Sequence, residues 1–355
     1  MRQKLIIMAS LIGICGFFIY LSCCDDCPTC PSEPMIGSYY VYISNQYQCY
    51  HDYIWIIDSR TDSLIDSIAT PADDQVGIAG ITPDGKYLVT TSSLEGSLLI
   101  CDVDTKEIVN RIYPTQHVLF PPGKSYMLAF RDGIAKYSIE DWSLIDSDTT
   151  PAGYWGGLFN SMSYFYGVNI SNEFIIYDYE AMSVVKIDTL KRIDGSMPLE
   201  YYTELSSDDR YFYFLSSPNQ VFKYDIEAGY IIDSIFISYG GYHGGLKCTP
   251  DGRYILLTEA SSDFDYKNIG NLVLIDQASF TIDRRISTLG LNPFYPPGEA
   301  LPVYGIGITP DSRRVYCSTI GPYISFDLTD LRASLIPELS SDCMGKGLAI
   351  GKQID

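Results

Sequence analysis

The chain has 355 residues, with 24 Lys or Arg against 44 Asp or Glu, a formal charge of −20 at pH 7. So acidic a surface repels phosphate backbones and anionic headgroups, which excludes nucleic acid and leaves membrane contact to a dedicated anchor. Three His residues, and no G-x-S-x-G, H-E-x-x-H or glycine-rich phosphate motif, leave the common hydrolytic and nucleotide chemistries without a signature. Neither a metal nor a cofactor is expected.

Arg2 and Lys4 precede a charge-free run from Leu5 to Leu21, the basic and apolar regions of an export signal. The run stops short of the roughly 20 apolar residues that span a bilayer comfortably. Ser22-Cys23 follows directly, and this junction is similar to the lipobox of bacterial lipoproteins. The resemblance implies a signal peptide over 1–22, lipid on Cys23 (alternatively Cys24), and a Cys- and Pro-rich acidic tether over 23–37. An uncleaved N-terminal anchor is the other reading, and both place the body of the protein outside the cytoplasm, held to a membrane. Cys24, Cys27 and Cys30 keep a spacing similar to an iron–sulfur run, but the fourth ligand is absent and no metal is assigned.

From residue 38 onward two phrases alternate. The first is a turn between two apolar runs: "GITPDGKYLVT" (80–90), "KCTPDGRYILLT" (247–258), "GITPDSRRVYCST" (307–319), and the looser "LFPPGKSYMLAF" (119–130) and "ELSSDDRYFYFL" (204–215). Pro83 presets φ, Asp84 can bond the backbone ahead of it and Gly85 accepts positive φ, so the phrase sets strand register. The second phrase pairs an aromatic or β-branched run with an Asp-containing turn, from "IIDSRTDSLIDSI" (56–68) to "SFDLTDLRASLIP" (325–337). It occurs seven times, and alternating apolar positions in short runs indicate antiparallel strands.

Four short strands per unit at about a 40-residue period predict the blades of a propeller. The expectation is all-β: a seven-bladed β-propeller of four-stranded antiparallel blades, forming one domain over 38–355. The blades fall at 38–68 plus 346–355, 77–112, 117–148, 156–188, 199–235, 244–286 and 305–337. The chain enters with three strands and finishes on a lone one, "KGLAIGKQID", so the last strand completes the first blade and removes an exposed edge. A monomer is expected. The T-P-D-G-K/R, Y-L-V-T, I-D-x-x-T pattern resembles the repeat of YVTN-type seven-bladed propellers, found in exported and surface-layer proteins. The family is defined by scaffold residues, so the resemblance speaks to fold and not to activity.

Ligands are expected at the loops leading into each inner strand, 69–77, 113–117, 149–157, 189–200, 236–245, 287–305 and 338–346. These carry His117, Tyr154, Trp155, Tyr242, His243 and Tyr304, with Tyr239, Phe294, Tyr295 and Glu299 nearby. Aromatic rings give rigid contact area with polar tips, suited to an envelope protein or a glycan. The chain's 30 Tyr residues make aromatic loops common by chance, and glycines there also serve blade packing. "QHVLFPPGKSYMLAF" (116–130) resembles a segment of seven-bladed lactonases, which implies an alternative hydrolase or lyase role for His117; Gln116 stands where that family has Arg. A purely structural envelope component is the third reading. Cys101, Cys248 and Cys317 lie in apolar runs as small core residues. Cys49 and Cys343 flank the closing strands and could form a disulfide in an oxidising compartment.

Overall fold

The computed structural model describes residues 38–47, 53–71, 76–92, 96–113, 117–130, 133–149, 155–160, 163–168, 173–190, 200–216, 220–237, 241–242, 245–261, 270–291, 303–319, 323–336 and 344–354. The chain divides into Met1–Ile36 and Gly37–Asp355, and every described residue lies in the second unit. Seven antiparallel sheets of four strands stand in a ring, the β-propeller expected from the repeat.

Blade 1 orders its strands Met344–Ile354, Ser38–Tyr47, Tyr53–Asp58 and Ser63–Ala69 from the axis outward. Its inner strand comes from the C-terminal end of the chain, pairing from Ser38↔Ile354 to Tyr47↔Met344, so the ring closes as expected. Blade 2 comprises Val76–Ile81, Tyr87–Ser92, Ser97–Asp102 and Ile108–Ile112, and blades 3 to 7 repeat the meander. In blade 6 the inner strand is interrupted, since Gly241–Tyr242 and Leu246–Cys248 both pair with Tyr254–Ser261.

No single core fills the ring. Each of the seven hydrophobic clusters lies between two neighbouring blades. The period of two along the middle strands explains this. Leu88, Leu99 and Cys101 face blade 1, where they meet Tyr42, Ile54 and Ile56. Val89, Leu98 and Ile100 face blade 3, where they meet Val118, Met127 and Ala129. Both faces of a middle strand are therefore buried. Each such side chain contributes about 1.5–3 kcal/mol by burial.

The outer strands are built differently. In blades 1 to 6 the register against the third strand skips one residue: Ile65, Val109, Ile145, Val185, Ile232 and Asp283. The skipped aliphatics are 41–54 % exposed, which accounts for much of the apolar rim. A bulge twists an edge and spoils it as a template for another strand. Blade 7 has no shift, but its outer strand is only Arg332–Leu335, with Pro337 just beyond.

Candidate functional site

The meander places two kinds of connection at opposite ends of the ring. One end, the turn face, holds the links from inner to second strand and from third to outer strand. The other, the loop face, holds the links into each inner strand and from second to third strand.

On the turn face the repeated phrase is explained atom by atom. Thr82 Oγ1 donates to Asp84 Oδ1 at 2.6 Å and accepts the Tyr87 N–H at 2.9 Å. Asp84 Oδ1 also accepts the Lys86 N–H at 3.0 Å, and Gly85 sits at φ 71°. Partial burial pushes the Asp84 carboxyl up, but these hydrogen bonds outweigh it and hold the group below its ordinary range. Thr309 and Asp311 repeat the arrangement, and so do Ser206 and Asp208 in the looser phrase. There Asp209 replaces glycine at φ 58°, and its carboxylate accepts the Asn160 backbone N–H of blade 4 at 2.7 Å. Ser312, at the equivalent place in blade 7, accepts the Asp251 N–H of blade 6 at 3.0 Å. The phrase is a register device whose left-handed residue can also clasp the preceding blade.

A second rule, missed from the sequence, governs the outer turns. The residue four after the turn's Asp or Ser is left-handed in every blade: Asp62, Lys106, Trp142, Met182, Gly229, Phe280 and Leu331. Six of these carry side chains, which reach onto the preceding blade. Lys106 pairs with Asp66, Trp142 meets Tyr87 edge-on at 5.1 Å, and Phe280 stacks on Tyr213 at 6.0 Å. Met182 and Leu331 join apolar clusters there. Asp62 closes the ring, accepting hydrogen bonds from Arg314, Tyr316 and Ser325 of blade 7. Among the described residues, clefts open between turns, one of about 450 Å3 beside Asp84, Lys86 and Gly123 and another of about 250 Å3 beside Tyr42, Asp66 and Asp104.

Near the axis, Lys247 Nζ reaches Glu204 Oε2 of the neighbouring inner strand at 2.7 Å. The carboxylate holds the Lys247 ammonium above its ordinary range. Gly80 and Gly157 hold the same rank in other blades, where a Cβ would come within 2.9 Å of Phe120 and Tyr166. Cys101 and Cys317 are buried and Cys248 is half-buried. Burial pushes the Cys101 thiol up to about 11, as for a packing residue. Among the described residues no three His, Cys, Asp or Glu side chains are placed to hold a metal ion.

Four of the six expected ligand residues are described. His117 opens the inner strand of blade 3, exposed, with its ring 5.9 Å from that of Phe130. Trp155 opens the inner strand of blade 4 opposite Val168, Tyr242 pairs with Ala260, and Tyr304 lies one residue into its strand. These backbones thus bring four of the six residues to one end of the inner strands. Tyr154, His243, Cys23, Cys24, Cys49 and Cys343 lie outside the described residues.

No known protein-family profile matches the sequence, and no curated protein matches it. Solved structures share the fold. Kuenenia stuttgartiensis hydrazine synthase aligns at 16 % identity over 76 % of this chain and 85 % of its own, with a TM-score of 0.57. Dihydro-heme d1 dehydrogenase NirN, in complex with DHE, aligns at 13 % identity over 91 % and 77 %, with a TM-score of 0.59. The β-propeller domain of Myceliophteria thermophila Cps50 (Swd1) aligns at 12 % identity over 72 % and 84 %, with a TM-score of 0.56. At such identities the likeness concerns the fold alone.

Proposed function

We propose that this protein is an exported, lipid-anchored propeller of the YVTN type that binds a protein or glycan of the cell envelope through its loop face. One observation carries the reading: the wide variety in length lies on that face. Turn-face links all stay short, from 59–62 through 82–86, 206–210, 249–253 and 309–313 to 120–125. Links into the inner strands range from 113–116 to 288–302. Variable loops on a fixed scaffold are where binding residues concentrate. Many turn-face Asp and Thr side chains are engaged in their own turns, and Trp155, Tyr242 and Tyr304 belong to strands entered from the loop side. The two heme- and nitrogen-chemistry enzymes of like fold do not transfer their reactions at this identity.

The test is affinity capture from native envelope with residues 33–355 and with the same chain carrying Trp155→Ala and His243→Ala. A partner held by the first and lost by the second supports the reading; equal capture by both contradicts it. Lactone turnover abolished by His117→Ala would replace it with the hydrolase reading, for which exposed His117 at the loop end is the candidate. Intact mass showing an unmodified, full-length N-terminus would remove the lipid anchor on Cys23 or Cys24. The last rung of ring closure, Tyr47↔Met344, ends two residues before Cys49 and one after Cys343. We propose that these two cysteines form a disulfide, which non-reducing peptide mapping tests.

A further inference from the structure

Two lysines hold the same rank in their blades. Lys136, on the third strand of blade 3, is 7 % exposed, and Lys223, on the third strand of blade 5, is 8 % exposed. Each lies over the ring of the tyrosine that opens its blade's second strand, Lys136 at 4.7 Å from the Tyr126 centroid and Lys223 at 4.0 Å from that of Tyr211. Each then faces the outer turn of the next blade, and there the two sites part.

Lys136 meets a carboxylate. Glu180 of blade 4 lies 3.9 Å from its Nζ and also receives Lys124 at 2.6 Å and the Tyr126 hydroxyl at 2.7 Å. These donors hold Glu180 below its ordinary range, Lys124 first and Tyr126 next. Glu180 stands two residues after the turn's Asp178 and two before the left-handed Met182. In blade 6 the corresponding residue between Asp276 and left-handed Phe280 is Ala278. Lys223 finds the Phe280 ring at 5.6 Å instead, and among the described residues its Nζ has neither hydrogen bond nor ion pair. Burial lowers the Lys223 pKa, with Asp233, Asp208 and Asp225 opposing from farther off and Arg210 adding to it. An ammonium nine-tenths buried costs free energy unless an acceptor reaches it. A cation over two rings recovers part of that, roughly 0.5–2 kcal/mol.

We propose that Lys223 is a docking point for an acidic side chain of a partner protein, whose carboxylate seats on Lys223 as Glu180 seats on Lys136. The fold itself supplies the template, because blade 3 shows the same lysine, the same tyrosine and the acceptor in place. The surrounding Asp208, Asp225 and Asp233 disfavour a bare anion. A carboxylate carried on a polypeptide offsets this by bringing its own apolar contacts to the seam between blades 5 and 6. This site is separate from the loop face and does not rest on the function proposed for it.

The test is a pH titration of the whole chain with its lysines reductively 13C-methylated and followed by NMR. The Lys223 signal is assigned by its loss in Lys223→Arg. The probes are acetyl-Ala-Glu-Ala-amide and, at equal ionic strength, acetyl-Ala-Gln-Ala-amide. Saturating Glu peptide should raise the Lys223 midpoint by about one unit, since an adjacent opposite charge favours the ammonium. Ala278→Glu should raise the midpoint without any peptide and abolish the response, because it restores the acceptor in cis. No shift, an equal shift with the Gln peptide, or an undiminished response in Ala278→Glu would each overturn the proposal.

Discussion

The hydroxyl of Tyr316 in blade 7 donates to the carboxylate of Asp62 in blade 1 at 2.7 Å, across the seam where the two ends of the chain meet. Asp62 sits at φ 55°, so the left-handed backbone aims its side chain away from its own blade. Arg314 and Ser325 converge on the same carboxylate, and Tyr316 also reaches the Ser59 carbonyl at 3.2 Å. Tyr316→Phe keeps the ring and removes the donor, so it should cost about 1–3 kcal/mol in urea denaturation. A loss below about 0.5 kcal/mol, the range of ordinary surface changes, would show that the seam does not depend on this bond.

The seam between blades 5 and 6 is held by packing. Phe280 is 5 % exposed and stacks on Tyr213. Phe280→Ala should destabilise by about 3–5 kcal/mol, as for other buried aromatics cut back to Ala. The bulge residue Val185 is 52 % exposed, and Val185→Thr should stay within about 0.5 kcal/mol. Thermal melts of the two variants compare the rule for seams with the rule for the rim.

Asp209 tests the clasp on the turn face. Its carboxylate accepts the Asn160 N–H at 2.7 Å and the Asn160 side-chain amide at 3.0 Å. Asp209→Ala loses both bonds and leaves a residue poorly suited to φ 58°, so a cost of about 2 kcal/mol is expected. Asp209→Asn keeps an acceptor and tolerates that backbone, so most of the loss should be recovered. Equal losses in both variants would mean the charge, and not the bond, matters.

Alkaline pH should unfold the ring. Burial raises the pKa of Tyr42, Tyr126, Tyr177, Tyr213, Tyr224, Tyr316 and Tyr323, with nearby carboxylates adding to several. A group whose folded pKa lies above its unfolded value of about 10 contributes fully below that pH and loses its contribution as pH rises through the folded value. Tyrosinate absorbance should therefore show these seven ionising well above pH 10, together with loss of structure. A single smooth titration of all tyrosines would contradict the burial that builds the seams.

The blades were legible because their turns are spelled with few residue types. Asp, Thr and Gly at fixed offsets close the same hydrogen bonds each time, and even "SSDD" keeps them with Ser206 and Asp208. The seams were not legible, because Asp62, Lys106, Trp142, Met182, Gly229, Phe280 and Leu331 share a backbone conformation and no chemistry. Their signal was a constant offset of four from the turn's Asp or Ser, visible only once the turn was recognised as a unit. The contrast between Glu180 and Ala278 depended on the same offset. For the loop face, sequence showed which residue types gather there, and the fold placed the strand starts of His117, Trp155, Tyr242 and Tyr304 at one end.

The two faces can be separated in one experiment. Hydrogen–deuterium exchange of residues 33–355, free and with the captured partner, reads each connection independently. Protection confined to 113–117, 149–157, 236–245 and 287–305, with 82–86, 206–210 and 249–253 unchanged, is the result expected of binding through the loop face. Protection of the turns with the loops unchanged would contradict it and move the binding surface to the other end of the ring.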